Sequence, residues 1–217
     1  MKNDIQLQKD VLAELKWQPA INAAEIGVEA KNGVVTLSGH VGSYSEKWEA
    51  ERVAQRVFGV KALAIEMDVT IPGHASRNDT DIAAAANSAI RWTSYLLDDN
   101  IHITVEKGWV TLSGEVDWDY QRQSAIRAVR DLTGVTGCTN AIAIKAAASS
   151  SGVKSDIEAA LKRRASNDAQ NISVDVRGAD VTLTGSVGSW VERDLARDTA
   201  WAAPGVRSVV DKMTVAY

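Results

Sequence analysis

The chain has 217 residues, room for one or two ordinary domains. Its 45% apolar and 24% charged content is that of a folded globular protein and excludes disorder as its main character. A net charge of −4 speaks against a dedicated nucleic-acid binder and against attachment to anionic lipid by overall charge, and no apolar run approaches the ~20 residues that span a bilayer.

The N-terminus, Met1-Lys2-Asn3-Asp4-Ile5, leads into a polar, helix-like segment. It has neither the apolar core nor the small-residue cleavage site of a secretory signal, so the sequence as it stands is expected in the cytoplasm, or in the periplasm if a native leader has been removed. A first helix opens at Asp4-Ile5 with Asn3 as its cap. Ile26, Val28 and Ala30 then alternate with polar residues, the pattern of a strand with one buried face. Lys31-Asn32-Gly33 supplies the Asn-Gly pair of a tight hairpin turn.

The next strand carries Val35, Leu37, Gly39 and Val41 on one face and Thr36, Ser38 and His40 on the other. A glycine on the apolar face predicts either a helix lying close against the sheet or a bulge. Ser43-Tyr-Ser-Glu46 is a capping box that opens a second helix, whose stripe is Ala50, Val53, Ala54 and Val57. Gly59 fits a helix C-terminal cap, and a last strand follows with Leu63, Ile65, Met67 and Val69.

Pro72-Gly-His-Ala-Ser-Arg-Asn-Asp79 reads as a linker, after which the pattern begins again. Asp81-Ile82 opens a helix behind Thr80, and Ile101, Ile103 and Val105 alternate. Gly108-Trp-Val-Thr-Leu-Ser-Gly-Glu-Val116 agrees with Gly33-Val-Val-Thr-Leu-Ser-Gly-His-Val41 at seven of nine positions. Here the second helix starts from Asp117-Trp-Asp-Tyr120, a single-residue cap, and its stripe is Ala125, Ala128, Val129 and Leu132. The last strand holds Cys138, Ile142 and Ile144. A second linker, 146–152, leads to Asp156-Ile157 with Ser155 as cap, to Ile172, Val174 and Val176, and to Ala179-Asp-Val-Thr-Leu-Thr-Gly-Ser-Val187. The capping box Ser189-Trp-Val-Glu192 and an apolar strand at Val209, Met213 and Val215 close the chain.

These are three copies of one unit. The central glycines Gly39, Gly114 and Gly185 are each followed 20 residues later by Gly-Val. Counted from the Ile of the Asp-Ile pair, the distance to the central glycine falls from 34 to 32 to 28, which places the variation in the first helix and its following loop. The expected architecture is α+β, three tandem modules at 1–71, 78–146 and 153–217. Each runs helix-strand-strand-helix-strand, with an antiparallel hairpin, a parallel crossover and both helices on one face of a small mixed sheet.

The Asp-Ile helix start, the Ile-x-Val strand, the Gly-x-Val-Thr-Leu-Ser-Gly-x-Val motif and the terminal Gly-Val resemble the BON domain, a family named for bacterial OsmY and nodulation proteins. The family ending Gly-Val-x-x-Val-x-Asn-x-Leu-x-Val keeps its Asn at Asn140, where the other copies have Ile65 and Asp211. The resemblance implies a bacterial, non-enzymatic protein of osmotic or envelope stress that binds phospholipid surfaces or other proteins. It also implies structural roles for Gly39, Gly59, Gly114, Gly134, Gly185 and Gly205.

No catalytic or metal site and no cofactor is expected. His40, His74 and His102 share neither position nor ligand spacing. Cys138 occupies an apolar strand position matched by Leu63 and Val209, and a single cysteine forms no internal disulfide. Gly134-Val-Thr-Gly137 has the letters of an RNA-clamping loop but joins a helix to a strand and lacks basic residues. What exceeds structural need is aromatic: seven Trp against one Phe. Tyr44, Trp48, Trp118, Tyr120 and Trp190 gather at the start of the second helix, and Lys162-Arg163-Arg164 add a basic cluster on the third copy's first helix. Trp and Tyr favour sites with one apolar and one wet edge, found at membrane interfaces, at protein hot spots and in packing between copies. Together with the resemblance, these features make the expected partner a phospholipid or membrane surface, or another protein held by a scaffold or chaperone-like stress protein through three weak sites, and not nucleic acid.

Overall fold

The computed structural model describes residues 3–93, 96, 100–145, 152–164 and 171–216. In chain order the first module is α1 (Asp4–Trp17), β1 (Ile26–Lys31), β2 (Val34–Val41), α2 (Tyr44–Arg56) and β3 (Ala62–Val69). The second is α3 (Asp79–Trp92), β4 (Ile101–Glu106), β5 (Trp109–Val116), α4 (Asp119–Arg130) and β6 (Gly137–Ile144). The third is α5 (Val153–Arg164), β7 (Ile172–Arg177), β8 (Asp180–Val187), α6 (Trp190–Trp201) and β9 (Ser208–Val215). Each module holds one three-stranded sheet with the hairpin's second strand in the centre.

The alternating residues pair as their period requires. In the first sheet β1 runs antiparallel to β2, with Val28 opposite Leu37, and β3 joins in parallel, with Leu37 opposite Ile65. The third sheet repeats this, with Val174 opposite Leu183 and Val181 opposite Val209. Asn32 and Gly33 both take positive φ, 54° and 82°, as a two-residue hairpin turn demands. On the covered face Val35, Leu37, Val41 and Met67 pack with Leu7, Val11 and Leu15 of α1 and Ala50, Val53 and Ala54 of α2. The third core has the same build, from Val153, Ile157 and Leu161 of α5 to Ala196 and Ala200 of α6.

Helix phase corrects the correspondence between the first helices. Ile5 is exposed, whereas Ile82 is buried and its counterpart in the first module is Leu7. The buried triplets are Leu7, Val11, Leu15; Ile82, Ala86, Ile90; and Val153, Ile157, Leu161. From the first member of each triplet to Gly39, Gly114 and Gly185 the distance is 32 residues every time, so the register runs without gaps from first helix to central strand. The Asp-Ile pairs share letters without sharing places. The cap of α3 is accordingly Asn78, whose side chain accepts from the Asp81 N–H, and not Thr80. Asn3 caps α1 in the same way, while Ser155 lies inside the first turn of α5 and donates to the Gly152 carbonyl.

Two glycine roles also differ from expectation. Gly39 and Gly185 have φ of 115° and 126°, and a side chain on them would strike the backbone carbonyls of Glu25 and Asn171, just before the first strand of each module. The constraint comes from neighbouring backbone, not from a helix above the sheet. Gly59 and Gly205 lie beyond the helix ends, since α2 is capped by Val57 and α6 by Ala202. Their positive φ serves the tight turns Val57–Val60 and Ala203–Val206 that lead into the last strand.

The capping boxes form. Ser43 and Ser189 accept from the Glu46 and Glu192 N–H groups, and those glutamates accept from the Gly42 and Gly188 N–H groups. In the second module Gln121 takes the glutamate's place and accepts from the N–H groups of Asp117 and Trp118. A further clamp ties first helix to hairpin. Asp4 accepts from the Asn32 and Gly33 N–H groups, and Asp79 from those of Lys107 and Gly108, both at 2.8 Å. Charge-assisted bonds to turn amides are stronger than neutral ones, so Asp79→Ala is expected to lower stability by about 1 kcal/mol in urea titration, with the spectrum of the folded state unchanged.

The first linker is ordered: Gly73–Ala75 form a 3-10 turn, and the Arg77 side chain donates to the Ser76 carbonyl while lying against Gly134. Of the second expected linker, residues 146–151 lie outside the described residues. By spatial contact the chain divides into two units, residues 1–113 with 124–141, and residues 114–123 with 142–217.

Candidate binding surface

In the first module α1 starts beside the hairpin turn, held there by Asp4, and runs to the opposite end of the sheet, where α2 begins. Two bonds knit that end together: Gln18 donates to Glu49, and the Asn22 N–H donates to Glu46. The start of the second helix and the finish of the first thus share one end of the module.

The five aromatics expected at the second helix separate into two groups. Tyr44, Trp48 and Trp190 are half-buried. The Tyr44 hydroxyl hydrogen-bonds the backbone of Cys138, and burial, with Cys138 and Glu51 adding, raises its pKa above the usual phenol value. Trp48 has guanidinium groups near its ring, and Trp190 lies under Arg193, which is itself paired with Asp211 at 2.8 Å. Trp118, just before α4, and Tyr120, within it, are 40% and 50% exposed. Lys162 and Arg163 are exposed near the end of α5; the Arg164 side chain lies outside the described residues.

Two further tryptophans stand out more than any of these. Trp17 and Trp92 are the last residues of α1 and α3 and are 82% and 88% exposed. Each follows an exposed basic residue, Lys16 or Arg91. Counting 10 residues on from Leu7, Ile82 and Val153 brings the third module to Arg163, preceded by Lys162. The same helix end therefore reads Lys-Trp, Arg-Trp and Lys-Arg. Helical geometry makes the position outward: Trp17 lies two residues, about 200°, round from buried Leu15. The pattern is readable only when the helices are aligned by buried phase, because the Asp-Ile pairs do not share a place in the fold. Trp109, half exposed on β5, is explained locally, since it lies over Gly137 and its indole N–H donates to Thr139.

Burial pushes the Cys138 thiol up to about 12, only partly offset by Arg130, so it stays protonated and unreactive at neutral pH. Among the described residues no group of three or more His, Cys, Asp or Glu side chains could hold a metal ion, and no helix is long and apolar enough to cross a membrane.

The sequence profile described as the BON domain matches this chain at residues 3–70, 78–146 and 149–217. Each match starts 36 residues before its central glycine, the same constant register that the buried helix faces follow. The chain is 31% identical over 148 residues to the osmotically-inducible protein Y of Escherichia coli strain K12, covering 66% of this chain and 73% of that protein. Among solved structures it is similar to CdsD, a structural protein of the type III secretion system of Chlamydia trachomatis. Identity there is 15%, coverage is 97% of this chain and 92% of that one, and the TM-score is 0.27. The periplasmic domain of PrgH matches at 12% identity over 95% and 100% of the two chains, with a TM-score of 0.23. Likenesses that slight bear on neither fold nor function.

Proposed function

Because the chain belongs to the BON domain family, we propose that it is a non-enzymatic binding protein of the osmotic-stress type. In this reading it attaches peripherally to anionic phospholipid surfaces through the ends of its first helices. The relation to an osmotically inducible protein supports the first part. The observation that carries the second is the repeated exposure of a basic residue beside Trp17 and Trp92, continued by Lys162 and Arg163 in the third module.

Tryptophan with an adjacent lysine or arginine is the composition of an interfacial anchor. The indole sits at headgroup depth, and each cation near an anionic surface adds about 1 kcal/mol. An overall charge of −4 opposes general adsorption, so the local cations must carry the attraction. The part of these helix ends that needs no ligand is modest: a basic side chain in a helix's last turn complements the helix dipole, which does not require an exposed indole beside it.

Co-sedimentation with phosphatidylglycerol-containing vesicles tests this. Binding is expected at low salt and is expected to fall with added salt and on pure phosphatidylcholine. Trp17→Ala with Trp92→Ala is expected to weaken it by at least about tenfold. No binding to anionic vesicles at low salt would sink the proposal.

A protein-interaction scaffold is the second reading, supported by the exposure of Trp118 and Tyr120. It requires a stoichiometric partner that protects Trp118 from acrylamide quenching, in the absence of vesicles.

A further inference from the structure

Two guanidinium groups lie over the Trp48 ring. Arg52, one turn later in α2, lies 4.6 Å from the ring centre, and Arg130, at the end of α4 in the next module, lies 3.6 Å from it. A second such contact joins the second module to the third: Arg122, in the first turns of α4, stands 4.4 Å from the ring of Trp201, the last residue of α6. The modules are offset by 75 and 146 residues, so Arg130 and Trp201 occupy one equivalent position and Trp48 and Arg122 fall at neighbouring ones.

Both contacts therefore connect the first turns of the second helix in one module with the final turn of the second helix in the next. Arg and Trp exchange sides between the two. A guanidinium over an indole face is attractive through the ring quadrupole, and the attraction grows as water is excluded. Around Trp48 water is partly excluded: the Arg130 side chain is only 15% exposed, Tyr44 reaches the Cys138 backbone, and Glu51 is half-buried.

We propose that an Arg–Trp stack between second helices is the joint by which consecutive modules of this chain recognise one another, with Trp48–Arg130 fastening the first to the second and Arg122–Trp201 the second to the third. The exchange of residue types makes each joint specific. Trp48 meets the guanidinium of Arg130, and Arg122 meets the indole of Trp201. Tyr44 and Trp48 are thereby engaged within the chain, and the first-helix ends remain for an external surface.

The test is made on the full chain, by backbone NMR relaxation of first-module and second-module amides together with thermal unfolding. Arg130→Ala is expected to give the first module a rotational correlation time shorter than that of the second, and to lower the unfolding midpoint by roughly 2–4 °C. Trp48→Ala with Arg130→Ala is expected to add little to the larger single effect, because the two residues serve one contact. Arg52→Ala, which removes only the stack within α2, is expected to leave the modules tumbling together. A common correlation time in Arg130→Ala, or additive effects in the double variant, would overturn the joint. Arg130→Ala carries the test even if Trp48→Ala unfolds the first module, since Arg130 contributes nothing to that module's own core.

Discussion

Gly39→Ala is expected to destabilise the first module by about 3 kcal/mol or more, a loss near the whole stability of a domain this small. Two independent costs combine. The backbone at Gly39 has φ of 115°, which residues with a side chain rarely adopt, and the added methyl group would fall inside the contact shell of the Glu25 carbonyl oxygen. Neither can relax cheaply. Gly39 is paired in register with Ile26 on one side and Met67 on the other, so moving it disturbs both ladders. Gly185→Ala is expected to behave alike against Asn171. Gly42→Ala serves as the control: its φ is not positive, the nearest atom is the mobile end of Glu46 at 3.5 Å, and the second module already carries Asp117 there. Circular dichroism during heating distinguishes them. A midpoint drop of about 10 °C or more is expected for Gly39→Ala and almost none for Gly42→Ala. Similar melting of the two variants would refute the backbone account.

Leu37→Ala is expected to lower stability by about 3 kcal/mol in urea titration. Leu37 is fully buried on the central strand, with Val28 and Ile65 as its partners in register and α1 and α2 above. It has no route to solvent, so truncation leaves a cavity lined by side chains from four elements. The neighbouring residue on the opposite face gives the contrast. Thr36→Ala removes a side chain from the face without helices and is expected to change stability by no more than about 0.5 kcal/mol. Leu112 and Leu183 hold the equivalent places, both fully buried, and the same asymmetry with Thr111 and Thr182 is expected.

Much of the fold is legible in the residue order alone. Alternation from Ile26 and from Val35 made strands, Asn32-Gly33 made the turn, and Ser43 with Glu46 opened the second helix. Each is a short-range rule, with cause and effect within a few residues. The first helices were harder. Asp-Ile recurs three times, yet Ile5 points to solvent while Ile82 is buried, because three polar-rich helices carry several apolar residues and identity alone does not tell which face meets the sheet.

The proposed binding surface was legible only in part. Composition flagged the tryptophans, and Trp118 and Tyr120 are exposed as a surface role requires. Tyr44 and Trp48 have the same local setting, at a helix start, but lie against residues from the next module some 80 to 95 positions away. Trp17 and Trp92 carry no local sign of exposure, because their outward position follows from the phase of the helix before them.

By itself the sequence determined that this chain is three tandem α+β modules, the order of elements in each, and the positions of strands, hairpin turn and second-helix caps. Those depend on period and on local hydrogen bonding, which residue order contains. Only the tertiary structure decided which face of each first helix is buried, why Gly39 and Gly185 admit no side chain, and which aromatics meet another module and which meet water. Those are contacts between residues distant along the chain, and such contacts exist only after the backbone has closed on itself.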